Sequence, residues 1–69
     1  MGARRHRPDI LTTRESEVLA LTAAGLTNAE IAAKLVLSRS TVRTHLEHIY
    51  ERTGTHSRTA AVACLRTRA

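Results

Sequence analysis

The 69-residue chain contains no phenylalanine, no tryptophan and a single tyrosine, Tyr50. Proteins that bind single-stranded nucleic acid stack bases on exposed aromatic rings, so the usual platforms for that chemistry are excluded. A lone cysteine, Cys64, cannot form an internal disulfide, and no apolar secretory segment follows Met1, which together point to a reducing intracellular compartment. Apolar runs are short and interrupted, far below the roughly 20 residues of a membrane-spanning helix, so a soluble chain with no membrane partner is expected. Length leaves room for one small domain and no second one. Acid is also scarce, with six Asp+Glu against eleven Lys+Arg and a net charge of +5. That excess favours a polyanion, nucleic acid ahead of an anionic membrane surface, and the shortage of rings turns the expectation to duplex DNA.

What is present divides into a tail and a series of helix signals. Residues 1–9 carry Arg4, Arg5 and Arg7 with almost nothing to bury, and read as a flexible basic arm, either solvated or laid against DNA. The domain proper is expected over residues 10–69. Thr12 and Glu15 have the spacing of a capping box, in which each side chain satisfies the other's backbone amide, and the helix they open should run to Ala24 and stop at Gly25. Its buried stripe is Val18, Leu19 and Leu21. Thr27 and Glu30 repeat the box and open a second helix to about Leu35, with Ile31, Ala32 and Leu35 facing inward. Ser38 caps a third helix over 39–53, ended by Gly54, whose Val42, Leu46, Ile49 and Thr53 recur at helical spacing. Ser57 caps a fourth over about 58–66. No segment alternates with period two, so the fold class is all-α, a compact four-helix domain.

Helices two and three are separated by a very short turn, the arrangement of a helix-turn-helix. Counting Asn28 as the first position of that motif, the small Ala32 falls fifth, where the helices cross most closely. Ile31, Leu35, Leu37 and Val42 occupy the other interlocking positions, and His45 the last. Val36 stands where such turns often have glycine. A β-branched residue disfavours positive φ, which predicts a wider turn than the commonest type.

Several blocks agree at once with one family: Leu11-Thr12 with Arg14-Glu15, Gly25-Leu26-Thr27-Asn28, Glu30-Ile31-Ala32, Ser38 with Thr41-Val42, His45, Gly54, and Ser57-Arg58. Over residues 11–65 the chain resembles the LuxR-type helix-turn-helix domain, the DNA-binding part of quorum-sensing regulators and of NarL/FixJ-type response regulators. The resemblance implies a sequence-specific transcriptional regulator, or the effector domain of one, in a bacterial cytoplasm beside the nucleoid. It further implies a homodimer on an inverted repeat of double-stranded DNA, with helix three reading bases and helix four supplying the dimer contact.

Helical geometry gives the reading face independently. With Val42, Leu46, Ile49 and Thr53 buried, Arg39, Ser40, Arg43, Thr44, Glu47 and Glu51 point outward. Arg43 can reach guanine O6 and N7 bidentately, Thr44 can meet a base with its hydroxyl or methyl, and Glu47 can accept from cytosine N4. The family contacts bases from the positions of Arg43, Thr44 and Glu47, with a basic residue frequent at the last. Glu47 therefore has a second reading, in which it orients Arg43 at i,i+4 or repels wrong sequences. Candidate phosphate contacts are Thr27, Asn28, Ser40 and Thr41 at the starts of helices two and three, where anions are favoured, with Arg39, Arg52 and Arg58 as further candidates. Arg58 alternatively pairs with Glu15 or Glu17 inside the fold. On helix four, Arg58, Ala61, Val62 and Leu65 form the stripe that seals the core. Ala60, Ala63, Cys64 and Thr67 form a second stripe of small residues, a candidate dimer surface.

Other classes fit less well. His45, His48 and Glu51 lack the ligand number and spacing of a zinc site, so neither metal nor cofactor is implied. Cys64 has no histidine partner, no small-molecule ligand is indicated, and no enzyme is expected. The fourth region of a sigma factor, with RNA polymerase as partner, shares the helix-turn-helix, but the amphipathic segment after Gly54 argues against it. A protein-interaction module would show an acidic face in place of Arg39 and Arg43.

Overall fold

The computed structural model describes residues 11–67, with side chains described to residue 65. The arm over residues 1–9 and the side chain of Thr67 lie outside the described residues. Four helices follow in order: α1 Thr13–Ala23, α2 Asn28–Leu35, α3 Arg39–Thr53 and α4 Arg58–Thr67. There is no strand among the described residues.

Local chemistry accounts for every start. Thr12 Oγ1 accepts the Glu15 amide at 3.1 Å while Glu15 Oε1 accepts the Thr12 amide at 3.0 Å, so the first capping box is complete. The second is built identically by Thr27 and Glu30, at 3.2 and 2.8 Å. Ser38 Oγ accepts the Thr41 amide at 3.0 Å, and Ser57 Oγ accepts the Ala60 amide at 3.2 Å.

The first three helices also end alike. An amide just past each end reaches back five residues, Leu26 to the Leu21 carbonyl, Leu37 to Ala32 and Thr55 to Tyr50, at 3.2, 2.8 and 2.9 Å. This closure requires left-handed backbone at the residue before that amide. Gly25 and Gly54 supply it without a Cβ clash, at φ of 96° and 69°. At the third site Val36 takes it as well, with φ 58° and ψ 51°. The expectation of a wider turn is therefore corrected: the helix-turn-helix keeps its tight turn. The closing bond at Leu37 and the packing of Leu37 against the core hold a β-branched residue in a conformation it disfavours.

Each helix contributes to one core made of Val18, Leu19, Ile31, Ala32, Val42, Leu46, Ile49 and Ala61. Ala32 is buried at the fifth motif position as expected, and Leu21 and Leu35 are half-buried, packing on the edge of that core. Val62 and Leu65 cover it from α4. At about 1.5–3 kcal/mol for each large aliphatic side chain fully buried, these contacts outweigh the weak intrinsic stability of helices this short. Two threonines enter the core region because their hydroxyls turn back onto their own helices: Thr22 donates to the Val18 carbonyl at 2.9 Å and Thr53 to that of Ile49 at 2.7 Å.

A charged residue is buried too. Glu15, expected as the capping partner of Thr12 and as one possible partner of Arg58, has 3% of its surface exposed. Beyond the Thr12 amide it meets Arg52 Nε at 3.2 Å, and its other oxygen lies 3.8 Å from His48 Nδ1. One carboxylate thus caps α1 and ties it to the outer side of α3.

Candidate nucleic-acid interface

With Val42, Leu46, Ile49 and Thr53 locked into the core, α3 has no rotational freedom, and its opposite face is solvent-exposed. Arg39, Ser40, Thr41, Arg43, Thr44, Glu47 and Glu51 are all exposed, as the helical period predicts. Charge is graded along the helix. Arg39 and Arg43 occupy its N-terminal half, where the helix dipole adds positive potential, while Glu47 and Glu51 stand toward the C-terminal half.

The arginines differ in what holds them. Arg39 and Arg43 make no hydrogen bond or ion pair with any described residue, so both guanidinium groups are open to a ligand. No ion pair joins Arg43 to Glu47. Thr44 donates its hydroxyl proton to the Ser40 carbonyl at 3.1 Å, which leaves an acceptor lone pair and the methyl group facing outward. Thr41 and Ser38 share a hydroxyl contact at 2.9 Å. Arg52 is engaged by Glu15, with 44% of its side chain exposed.

Arg58 departs furthest from expectation. Its partner is neither Glu15 nor Glu17: Nη1 donates to Asn28 Oδ1 at 2.7 Å, and Nη2 donates to the Leu26 carbonyl. The second bond measures 2.6 Å. Half-buried, the guanidinium bridges the start of α4 to the loop that opens α2. No residue-spacing signal could have revealed this, because the partners stand 30 and 32 positions away in the chain.

Asn28, Arg39, Ser40 and Arg43 line one shallow depression where the starts of α2 and α3 meet. On α4, Ala61 is buried and Ala63 exposed, while Ala60 and Cys64 of the small-residue stripe are half-buried, as are Arg58, Val62 and Leu65 of the other. Among the described residues no group of three or more His, Cys, Asp or Glu is placed to hold a metal ion, and no helix is long and apolar enough to cross a membrane.

A short helix and a longer one joined by a tight turn, the second buried along one side and carrying open arginines on the other, define a helix-turn-helix of the DNA-binding class. Residues 9–65 match the family described as "Bacterial regulatory proteins, luxR family", and the chain belongs to it. It is 48% identical over 59 residues to the "Probable transcriptional regulatory protein SgaR" of Hyphomicrobium methylovorum, an alignment spanning 84% of this chain and 28% of that protein. It is 46% identical over 54 residues to the "Probable transcriptional regulatory protein NarL" of Mycobacterium tuberculosis, covering 78% of this chain and 25% of that one. Among solved structures, the response regulator ChrA of a heme-sensing two-component system superposes with a TM-score of 0.81 at 46% identity, over 84% of this chain and 29% of ChrA. The chain therefore spans little more than a quarter of these relatives, and corresponds to the DNA-binding domain of transcriptional regulators.

Proposed function

We propose that this domain binds duplex DNA sequence-specifically as a homodimer on an inverted repeat, with the N-terminal half of α3 in the major groove, and thereby directs transcription. The observation that carries the reading is the open state of Arg39 and Arg43 on a helix whose other side is immobilised in the core. A guanidinium without an internal partner exchanges only water for a base edge or a phosphate and breaks no bond within the protein, and α3 holds its backbone in place. Arg43, Thr44 and Glu47 read bases: Arg43 bidentately on guanine, Thr44 through its free lone pair or methyl group, Glu47 on the exocyclic amine of cytosine. Arg39, Ser40, Thr41, Thr27 and Asn28 contact phosphate and fix the register, and Arg52, in the last turn of α3 with its Nε on Glu15, is a further phosphate contact. Ala60, Ala63 and Cys64 meet the second copy, whose half-site lies about one helical turn away. Cytoplasmic location beside the nucleoid follows from this role.

Selection of bound duplexes from a random pool tests the proposal as a whole. An enriched palindromic sequence is the expected result, with affinity that falls steeply as salt rises because bound arginines release counterions. A pool that stays random, or binding indifferent to salt, overturns it.

A further inference from the structure

We infer that Arg58 is a positioning residue for DNA: it sets the amide of Asn28 so that the nitrogen, and never the oxygen, faces the phosphate backbone. The inference rests on the DNA reading above and adds a part to it. Arginine has only donors, so the atom of Asn28 lying 2.7 Å from Nη1 must be the carbonyl oxygen Oδ1. The amide's nitrogen is thereby turned the other way. It carries two donors and has no hydrogen-bond partner among the described residues. Asn28 lines the same depression as Arg39, Ser40 and Arg43, the residues assigned to the nucleic acid.

An unrestrained asparagine flips between its two faces, and one of them would aim a partial negative charge at a phosphate. Arg58 removes that alternative. Its second bond, from Nη2 to the Leu26 carbonyl, fixes the fork against the loop and keeps the guanidinium from swinging out to bind phosphate itself. Arg58 also begins α4, the helix assigned to the dimer contact, so the same fork joins that helix to the DNA-facing end of α2.

A double-mutant cycle on the 69-residue chain tests this, using a duplex selected by the unaltered protein. Arg58→Ala and Asn28→Ala should each weaken binding roughly tenfold, and the double variant should be no weaker than the worse single one. The salt slope should stay the same in all three, because the group lost from the interface is a neutral amide. If Arg58 instead contacts a phosphate directly, the losses multiply and the slope in Arg58→Ala drops by about 0.9, which overturns the assignment. Full affinity in Asn28→Ala overturns it equally. Should Arg58→Ala fail to fold, Asn28→Asp decides: it keeps an acceptor for Arg58, so thermal stability holds, yet it presents a carboxylate oxygen outward and should bind more weakly than Asn28→Ala. Asn28→Asp binding as tightly as the unaltered chain sinks the inference. A parent chain that selects no duplex refutes the DNA reading itself, before any variant is compared.

Discussion

Val36→Gly is expected to raise the stability of this domain, against the general rule that glycine weakens a helical protein. The perturbation acts at one of three helix ends closed by the same backbone bond, two of which already have glycine at the critical position. Holding a residue with a Cβ in left-handed backbone costs about 1–2 kcal/mol, and a β-branched side chain stands at the upper end of that range. The valine side chain returns little, because 89% of Val36 is exposed. Against the relief stands the extra freedom glycine gives the unfolded chain, about 0.4–1 kcal/mol. The difference is a gain of about 1 kcal/mol, which for a domain of this size raises the melting temperature by about 4–8 °C. Thermal denaturation followed by circular dichroism measures it directly. Val36→Ala keeps the Cβ in the left-handed region and should recover less than half the gain, while Val36→Asn, which tolerates that region, should fall between the two. A glycine variant that melts no higher than the parent would refute the reasoning. So would an alanine variant that gains as much as glycine, since the strain would then belong to branching alone.

Other outcomes follow from the same geometry. Glu15→Ala removes a buried carboxylate that caps α1 and holds Arg52, and should cost about 2–3 kcal/mol in urea denaturation. Glu17→Ala, on an exposed pair with Arg14 at 3.3 Å, should cost no more than about 0.5 kcal/mol, and equal losses would deny Glu15 its central position. Arg43→Ala should cost about 1–3 kcal/mol on the selected duplex and relax base preference at one position per half-site. Arg39→Ala should weaken selected and random duplexes in the same ratio, and if Arg43→Ala does likewise, Arg43 reads no base. Ala63→Glu places a charge on the exposed stripe of α4 and should abolish cooperative occupancy of two half-sites with the helical circular dichroism intact. Unchanged cooperativity would move the dimer contact elsewhere.

How much of this was legible in the residues depends on how far each interaction reaches along the chain. Both capping boxes, the Ser38 cap, the glycine stops and the buried stripe of α3 are set by residues three or four positions apart, and such spacings can be read directly from a sequence. The outward face of α3 follows from that stripe by elimination, which is why Arg39, Arg43, Thr44 and Glu47 are placed by the sequence alone. Glu15, Arg58 and Val36 belong to a different category. Capping explains Glu15 within its own helix, but its burial and its bond to Arg52 exist only because α1 packs on α3. Arg58 carries a long side chain with several acceptors in range, and only the docking of α4 against the loop before α2 selected Asn28 and the Leu26 carbonyl over Glu15 and Glu17. Local preference argued against left-handed backbone at Val36. Tertiary packing overrode it, because burying Ile31, Ala32 and Leu37 against α3 outweighs the strain of one exposed valine.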